Sequence, residues 1–233
     1  MFPSLHVNGA PRPTDLFRDK VHAESSTFAA GLTKAEVYGQ VLEQAKALMD
    51  GQRNWVRFWR ISCSLSSKVW YAPAPASLPP PPPPPPPQPR PLAVTPNTAN
   101  VASLLWHAFH SLPAPSSAVN WAGFYVLDPA APEQLILGPF QGMVACQTIR
   151  FGKGVCGAAA STQQTQLVPD VEQFPGHIAC DGASKSEIVV PIVQKGKTVA
   201  IIDIDCAELE GFTEEDKKYL EDLAALLAEA CDF

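Results

Sequence analysis

Hydrophobic positions follow two periods along the chain, and the changeover divides it. Residues 1–30 carry no sustained period and read as a loose arm. Thr33 and Glu36 then stand at capping-box spacing. Val37, Val41, Ala45 and Leu48 follow on one stripe, with Tyr38, Leu42 and Met49 beside it, which predicts a packing helix that stops near Gly51. A second stripe (Val101, Leu104, Leu105, Ala108, Phe109 and Leu112) predicts a helix over about 98–112, ended by Pro113. From there the period becomes two. Residues 119–127 put Trp121, Gly123, Tyr125 and Leu127 on one face and Ala122, Phe124 and Val126 on the other. A short strand is expected over 135–137, interrupted by Gly138, Pro139 and Gly142, and a third over 144–151. Gly152, Gly154 and Gly157 bracket a turn into a small helix over 155–162, and 166–168 is a brief strand. The clearest hairpin joins 187–194 to 198–205 through Lys195-Gly196-Lys197. Thr213 caps a final helix whose first turn holds Glu214, Glu215 and Asp216, where the macrodipole favours acids; Leu220, Leu223, Leu227 and Ala230 form its buried stripe. The expected class is α+β: an antiparallel sheet with helices packed on one or both faces.

Residues 56–97 break this pattern. Of 25 prolines, 14 fall between Pro73 and Pro96, nine of them consecutive from Pro79 to Pro87. Proline lacks the N–H that helix and sheet ladders need, so that run reads as polyproline II. Two readings stand: a ligand for a proline-binding module, or an inert insertion, since 54–56 and 97–105 would join smoothly without it. Cys63 lies inside and is given no catalytic role. The rest of the composition narrows the function. Hydrophobic residues make up 46% and charged ones 17%, enough for a buried core. The net charge of −6, with no basic stripe, speaks against nucleic-acid binding as the main task. No apolar run reaches the roughly 18 residues of a membrane helix, so no membrane partner is expected. The first 19 residues lack the apolar stretch of a secretory leader, which points to a reducing, cytoplasmic compartment.

Chemistry-bearing residues concentrate in the strand-rich half. Asp203 and Asp205 lie two apart on one strand and share a face; Glu187 falls roughly opposite Asp205 across the hairpin. They are either acids emerging into solvent or a carboxylate group at a pocket mouth, inviting a divalent metal or an amine-bearing ligand; the lack of a matching His favours the amine. Trp121 and Tyr125 share a strand face at a spacing of roughly 13 Å. They are either core packing or two walls of a slot, with Gly123 leaving its floor bare. Cys146 and Cys156 bracket the Gly-rich turn, and Cys156 opens a short helix whose dipole can lower a thiol pKa. Cys180 lies in a polar loop, His177-Ile-Ala-Cys-Asp-Gly-Ala183. Each cysteine is either a small buried hydrophobe or a reactive thiol; Cys206 and Cys231 fit the first reading better. With no CxxC pair and no His/Cys cluster at zinc-like spacing, no metal is expected.

These residues carry a resemblance. The stretches Asn120-Trp-Ala-Gly-Phe-Tyr125, Gly138-Pro-Phe-Gln-Gly142, Ala145-Cys146, Gly152-Lys-Gly-Val-Cys156-Gly157, Val168-Pro-Asp-Val171, His177-Ile-Ala-Cys180-Asp181, Ser186-Glu-Ile-Val-Val-Pro191 and Ile202-Asp-Ile-Asp205 resemble the GAF-domain family of free methionine-(R)-sulfoxide reductases. The resemblance implies one GAF domain in two parts, 31–55 and 98–233, split by the proline-rich insertion, which is expected to be disordered. It implies that Cys180 is the nucleophile, Cys146 the thiol that forms a disulfide with it and Cys156 an auxiliary resolving thiol. Glu187, Asp203 and Asp205 would hold the substrate's ammonium and polarise the sulfoxide, and Trp121 and Tyr125 would enclose its methyl end. Thioredoxin would be the reductant, with no bound cofactor; many GAF domains pair through their helical face, which leaves a homodimer open without fixing the oligomeric state. The rival from another class is a non-enzymatic GAF sensor of a small ligand or redox state, which would keep the fold and the pocket.

Overall fold

The computed structural model describes residues 28–50, 95–178 and 182–233. Most of the N-terminal arm, most of the proline-rich segment with Cys63, and Cys180 lie outside the described residues. The described elements run α1 (Lys34–Met49), α2 (Thr95–Ser111), β1 (Val119–Asp128), β2 (Ala131–Gly142), β3 (Thr148–Arg150), α3 (Gly154–Thr162), β4 (Gln166–Val168), β5 (Ser186–Gln194), β6 (Lys197–Cys206) and α4 (Glu214–Ala230), with single 3-10 turns at Ser116–Ala118 and Val171–Gln173. The six strands form one antiparallel sheet in the order β3-β2-β1-β6-β5-β4. None of the helices among the described residues is long and apolar enough to cross a membrane.

Period-two patterning sorts side chains between two cores on opposite faces of this sheet. Ala122 and Phe124 of β1, Ile188, Val190 and Ile192 of β5, and Ile202 and Ile204 of β6 pack with the buried stripes of α1, α2 and α4. Trp121, Tyr125, Val189 and Ile201 face the other way, under Val155, Ala159 and Ala160 of α3. Alternation on β1 breaks at one place: a register shift between Val119 and Trp121 turns Val119 to the helical side as well. The helical layer is closed by a buried acid. Asp216 accepts from the Lys34 ammonium at 2.7 Å, from the Tyr38 hydroxyl at 2.9 Å, and from the backbone N–H and hydroxyl of Thr213 at 2.7 and 2.9 Å. One carboxylate therefore completes the α4 capping box and ties α4 to α1.

Three expectations change. The second strand continues through Gly138 and Pro139. Gly123 pairs with Phe140 and Tyr125 with Leu137, so β2 carries an extra residue across this step, a bulge. β3 pairs with β2 only at Gln134, Leu135 and Ile136, so Pro139 stands beyond that ladder, where its missing N–H costs no bond. The third strand shrinks to three residues, because 143–147 is loop. The second helix begins at Thr95, earlier than about residue 98, because proline is tolerated in a first turn, where N–H groups have no intrahelical partner.

Asp216→Ala leaves Tyr38 without its buried acceptor and removes the α4 cap. We expect a loss of about 3 kcal/mol, less than for a fully buried pair because Lys34 reaches solvent. Denaturant unfolding checks this; a change near zero would remove Asp216 from the fold's energetics.

Candidate functional site

The central strands of the sheet present a small grid on the α3 side. In register, Trp121 pairs with Asp205 and Gly123 with Asp203 across β1 and β6, while Glu187 pairs with Asp205 across β5 and β6. Residues two apart on a strand share a face, so Trp121, Tyr125, Glu187, Asp203 and Asp205 gather on one side. α3 and the loops before and after it roof this grid and leave a cavity of about 330 Å³. Its lining includes those five residues together with Cys146 and Cys156. α3 reaches the sheet because Gly157 has no Cβ; one built there would collide with the Arg150 carbonyl. Seven of the eight residues singled out by the sequence thus lie around one cavity. The eighth, Cys180, lies outside the described residues, and its loop neighbours Ile178 and Ser184 line the same cavity.

The aromatic pair corrects an expectation. Trp121 and Tyr125 are not separate walls: their rings stack with centroids 5.8 Å apart and planes 24° from parallel, and Phe140 stacks on Trp121 at 5.2 Å. Backbone spacing sets where side chains start, and the rings lean together. The bare floor expected at Gly123 is filled by Phe140, which stands opposite and would collide with any Cβ there. The polar tips of the pair hold the loop above. Trp121 Nε1 donates to the Met143 carbonyl at 3.1 Å and the Tyr125 hydroxyl to the Cys146 carbonyl at 3.0 Å. Cys146, half-buried in that loop, is disulfide-bonded, whereas Cys156, Cys206 and Cys231 are free and buried.

The acids are the electrostatic centre. Glu187 and Asp203 are only 6% and 5% exposed, so neither emerges into solvent, while Asp205 is half-buried. Burial raises the Glu187 pKa well above the carboxylate range, and the charges of Asp203 and Asp205 raise it further. Burial likewise lifts Asp203 from 3.8 to about 6. The Cys156 thiol donates to Asp203 Oδ2 at 3.2 Å and to Glu187 Oε1 at 3.5 Å. Its pKa is raised, against the lowering expected from the helix dipole, because burial and then the charges of Asp203 and Glu187 oppose a thiolate. At the rim, Arg150 and Lys153 line the cavity and are exposed. Neither carried an expected role; their signal is one basic residue just before and one inside the glycine turn that opens α3, a pattern suited to an anion. A cavity with acids on its floor and bases at its rim suits a small zwitterion.

Comparison with known proteins places the chain in a family. Residues 98–232 match the GAF domain family. Over 213 residues the chain is 46% identical to a free methionine-R-sulfoxide reductase of Saccharomyces cerevisiae, covering 91% of this chain and 95% of that one. The chain belongs to the GAF-domain free methionine-R-sulfoxide reductases. A solved structure of the family's enzyme from Neisseria meningitidis, in complex with its substrate, superposes with a TM-score of 0.63 at 31% identity, covering 88% of this chain and 95% of the other. A solved GAF-domain structure, 44% identical, reaches a TM-score of 0.69 over 90% of this chain and 95% of its own. The six-stranded sheet with helices behind it is therefore the GAF architecture of these reductases.

The buried acid gives a pH dependence with a definite sign. Asp203 has a folded-state pKa above its unfolded one, so its contribution to stability is complete below about pH 4 and is lost as pH rises through about 6. Asp203→Asn removes that loss. The variant should gain on the wild type by roughly 1–3 kcal/mol between acid and neutral pH. Thermal unfolding of both proteins across this range checks it, and parallel curves would contradict it.

Proposed function

We propose that this chain reduces free L-methionine-(R)-sulfoxide to methionine with its own thiols. The observation that carries the reading is a disulfide-bonded cysteine, Cys146, on the wall of a cavity floored by buried acids. In the proposed cycle the Cys180 thiolate attacks the sulfoxide sulfur, and an acid in the cavity protonates the sulfoxide oxygen. Methionine leaves, and Cys180 keeps the oxygen as a sulfenic acid. The Cys146 thiol condenses with it, forming the S–S bond and releasing water. A dithiol protein of the thioredoxin type then exchanges with that disulfide, becomes oxidised itself and restores both thiols. The chain needs no bound cofactor for this.

Each residue has a proposed part. Of the cysteines outside the described residues, Cys180 rather than Cys63 is the partner of Cys146, because Ile178 and Ser184 on either side of it line the cavity beside Cys146. Glu187 is the proton source, since burial favours the acid form of its carboxyl. Asp203 and Asp205 receive the substrate's ammonium, and Arg150 and Lys153 its carboxylate. Trp121 and Tyr125 offer their stacked rings to the methyl end. Cys156 is a reserve resolving thiol: it lines the same cavity, but its raised pKa leaves little thiolate at neutral pH. Free substrate is preferred because a peptide-bound sulfoxide has no ammonium to offer and would leave the acids unpaired. A reducing compartment such as the cytoplasm, which keeps such thiols recyclable, is the proposed setting. Pairing of two chains is proposed through the helical layer, away from the cavity. A sensor of a small ligand would keep the fold and cavity but needs no Cys146 disulfide.

An assay with thioredoxin, its reductase and free sulfoxide epimers tests this. The R epimer should be consumed and the S epimer left. Cys180→Ser should lower turnover by at least roughly a thousandfold, the scale of losing a nucleophile. Equal use of both epimers, or an active Cys180→Ser variant, would contradict the reading.

A further inference from the structure

The floor of the cavity carries a ligand set that no local spacing in the sequence announces. Cys156 comes from α3, Glu187 from β5 and Asp203 from β6. One donor atom from each, the Cys156 sulfur and a carboxylate oxygen of Glu187 and of Asp203, lie within 4.8 Å of one another, and all three residues are buried. The sulfur stands 3.2 Å from Asp203 Oδ2 and 3.5 Å from Glu187 Oε1. A tetrahedral zinc ion with ordinary bond lengths spaces a sulfur and an oxygen ligand by about 3.5 Å. The side chains therefore already stand near coordination distance. A second observation points the same way: Asp203 Oδ1 is buried and has no hydrogen-bond partner. Such an oxygen is costly without a cation or a donor. None of the ion pairs among the described residues supplies one, since they join Lys34 to Asp216, Lys217 to Glu214 and Lys218 to Asp222.

We propose that Cys156, Glu187 and Asp203 form a three-ligand site for a thiophilic divalent cation of the Zn2+ class, which binds reversibly on the cavity floor and excludes the substrate's ammonium. A sulfur with two carboxylates selects against Mg2+ and Ca2+, which prefer all-oxygen shells. On binding, the Cys156 thiol and the Glu187 carboxyl each release their proton to solvent, and the sulfur coordinates as thiolate beside two carboxylates. Three protein ligands leave one position open toward the cavity, for water. The ion and an amino-acid ammonium then compete for Asp203, so the ion acts as an inhibitor of the chain. The site itself stands on the geometry of these three residues; only the competition rests on the reading of the cavity as an amino-acid site.

Titration of the oxidised full chain with Cd2+ tests the proposal, because a Cd2+–thiolate bond gives an ultraviolet charge-transfer band independent of activity. In this form Cys146 is tied in its disulfide. We expect a band saturating at one ion per chain, absent in Cys156→Ser and unchanged in Cys206→Ser. Asp203→Asn should bind at least roughly tenfold more weakly, the scale found even for lost outer-shell partners of a bound metal, so the inference does not hang on one variant's folding. Saturating free methionine should release the ion. A band that survives in Cys156→Ser, or equal affinity in Asp203→Asn, would overturn the site. An ion that methionine fails to displace would overturn the competition. Reductase activity on the sulfoxide, measured without added metal, reports separately on the catalytic reading.

Discussion

The site depends on the burial of two carboxyl groups on the inner face of a β-sheet. Glu187 and Asp203 stand together under α3, almost fully removed from water, with the thiol of Cys156 as their common donor. Taking carboxyls out of water costs several kcal/mol unless they are protonated or paired. The chain answers this by raising both pKa values. It gains a cavity whose floor, in the proposed cycle, supplies a proton and receives a positive group. Every feature of the proposed chemistry follows from that: proton supply to a departing oxygen, preference for a free amino acid, and affinity for a soft cation.

The remainder of the fold makes such a site tolerable. One face of the sheet is filled by apolar side chains of β1, β5 and β6 packed against α1, α2 and α4. Asp216 accepts four hydrogen bonds on that side, two from Lys34 and Tyr38 that lock α1 to α4 and two from Thr213 that cap α4. Stability is concentrated there, away from the cavity, which leaves the other face free to carry residues that destabilise it. On that face the stacked Trp121 and Tyr125 act through their polar tips, each holding a carbonyl of the loop that bears Cys146. The disulfide-bonded Cys146 is thereby placed on a loop anchored to the rigid sheet.

Much of this was legible in the residues because the periods are local. The hairpin of β5 and β6 followed from two apolar runs and a Lys195-Gly196 turn, and its register placed Glu187 opposite Asp205. The α1 capping box was visible in Thr33 and Glu36. What the sequence concealed depends on contacts between distant segments. Asp216 reads as a first-turn acid favoured by a dipole; its role as acceptor for Lys34 and Tyr38 appears only when α1 and α4 meet. Pro139 reads as a strand breaker until β3 is seen to stop short of it. Cys156 reads as an activated thiol until two carboxylates from β5 and β6 close around it, and the same convergence creates the proposed cation-binding set that spacing alone could not announce.

Isothermal titration calorimetry of methionine against N-acetylmethionine tests the central claim most directly, since the two differ in the charge that the buried acids require. The account predicts measurable binding of methionine and binding of the acetylated form weakened by at least roughly a hundredfold, on the scale of leaving buried charged partners unpaired. Equal affinities would contradict it, and the acids would then have no part in choosing the ligand.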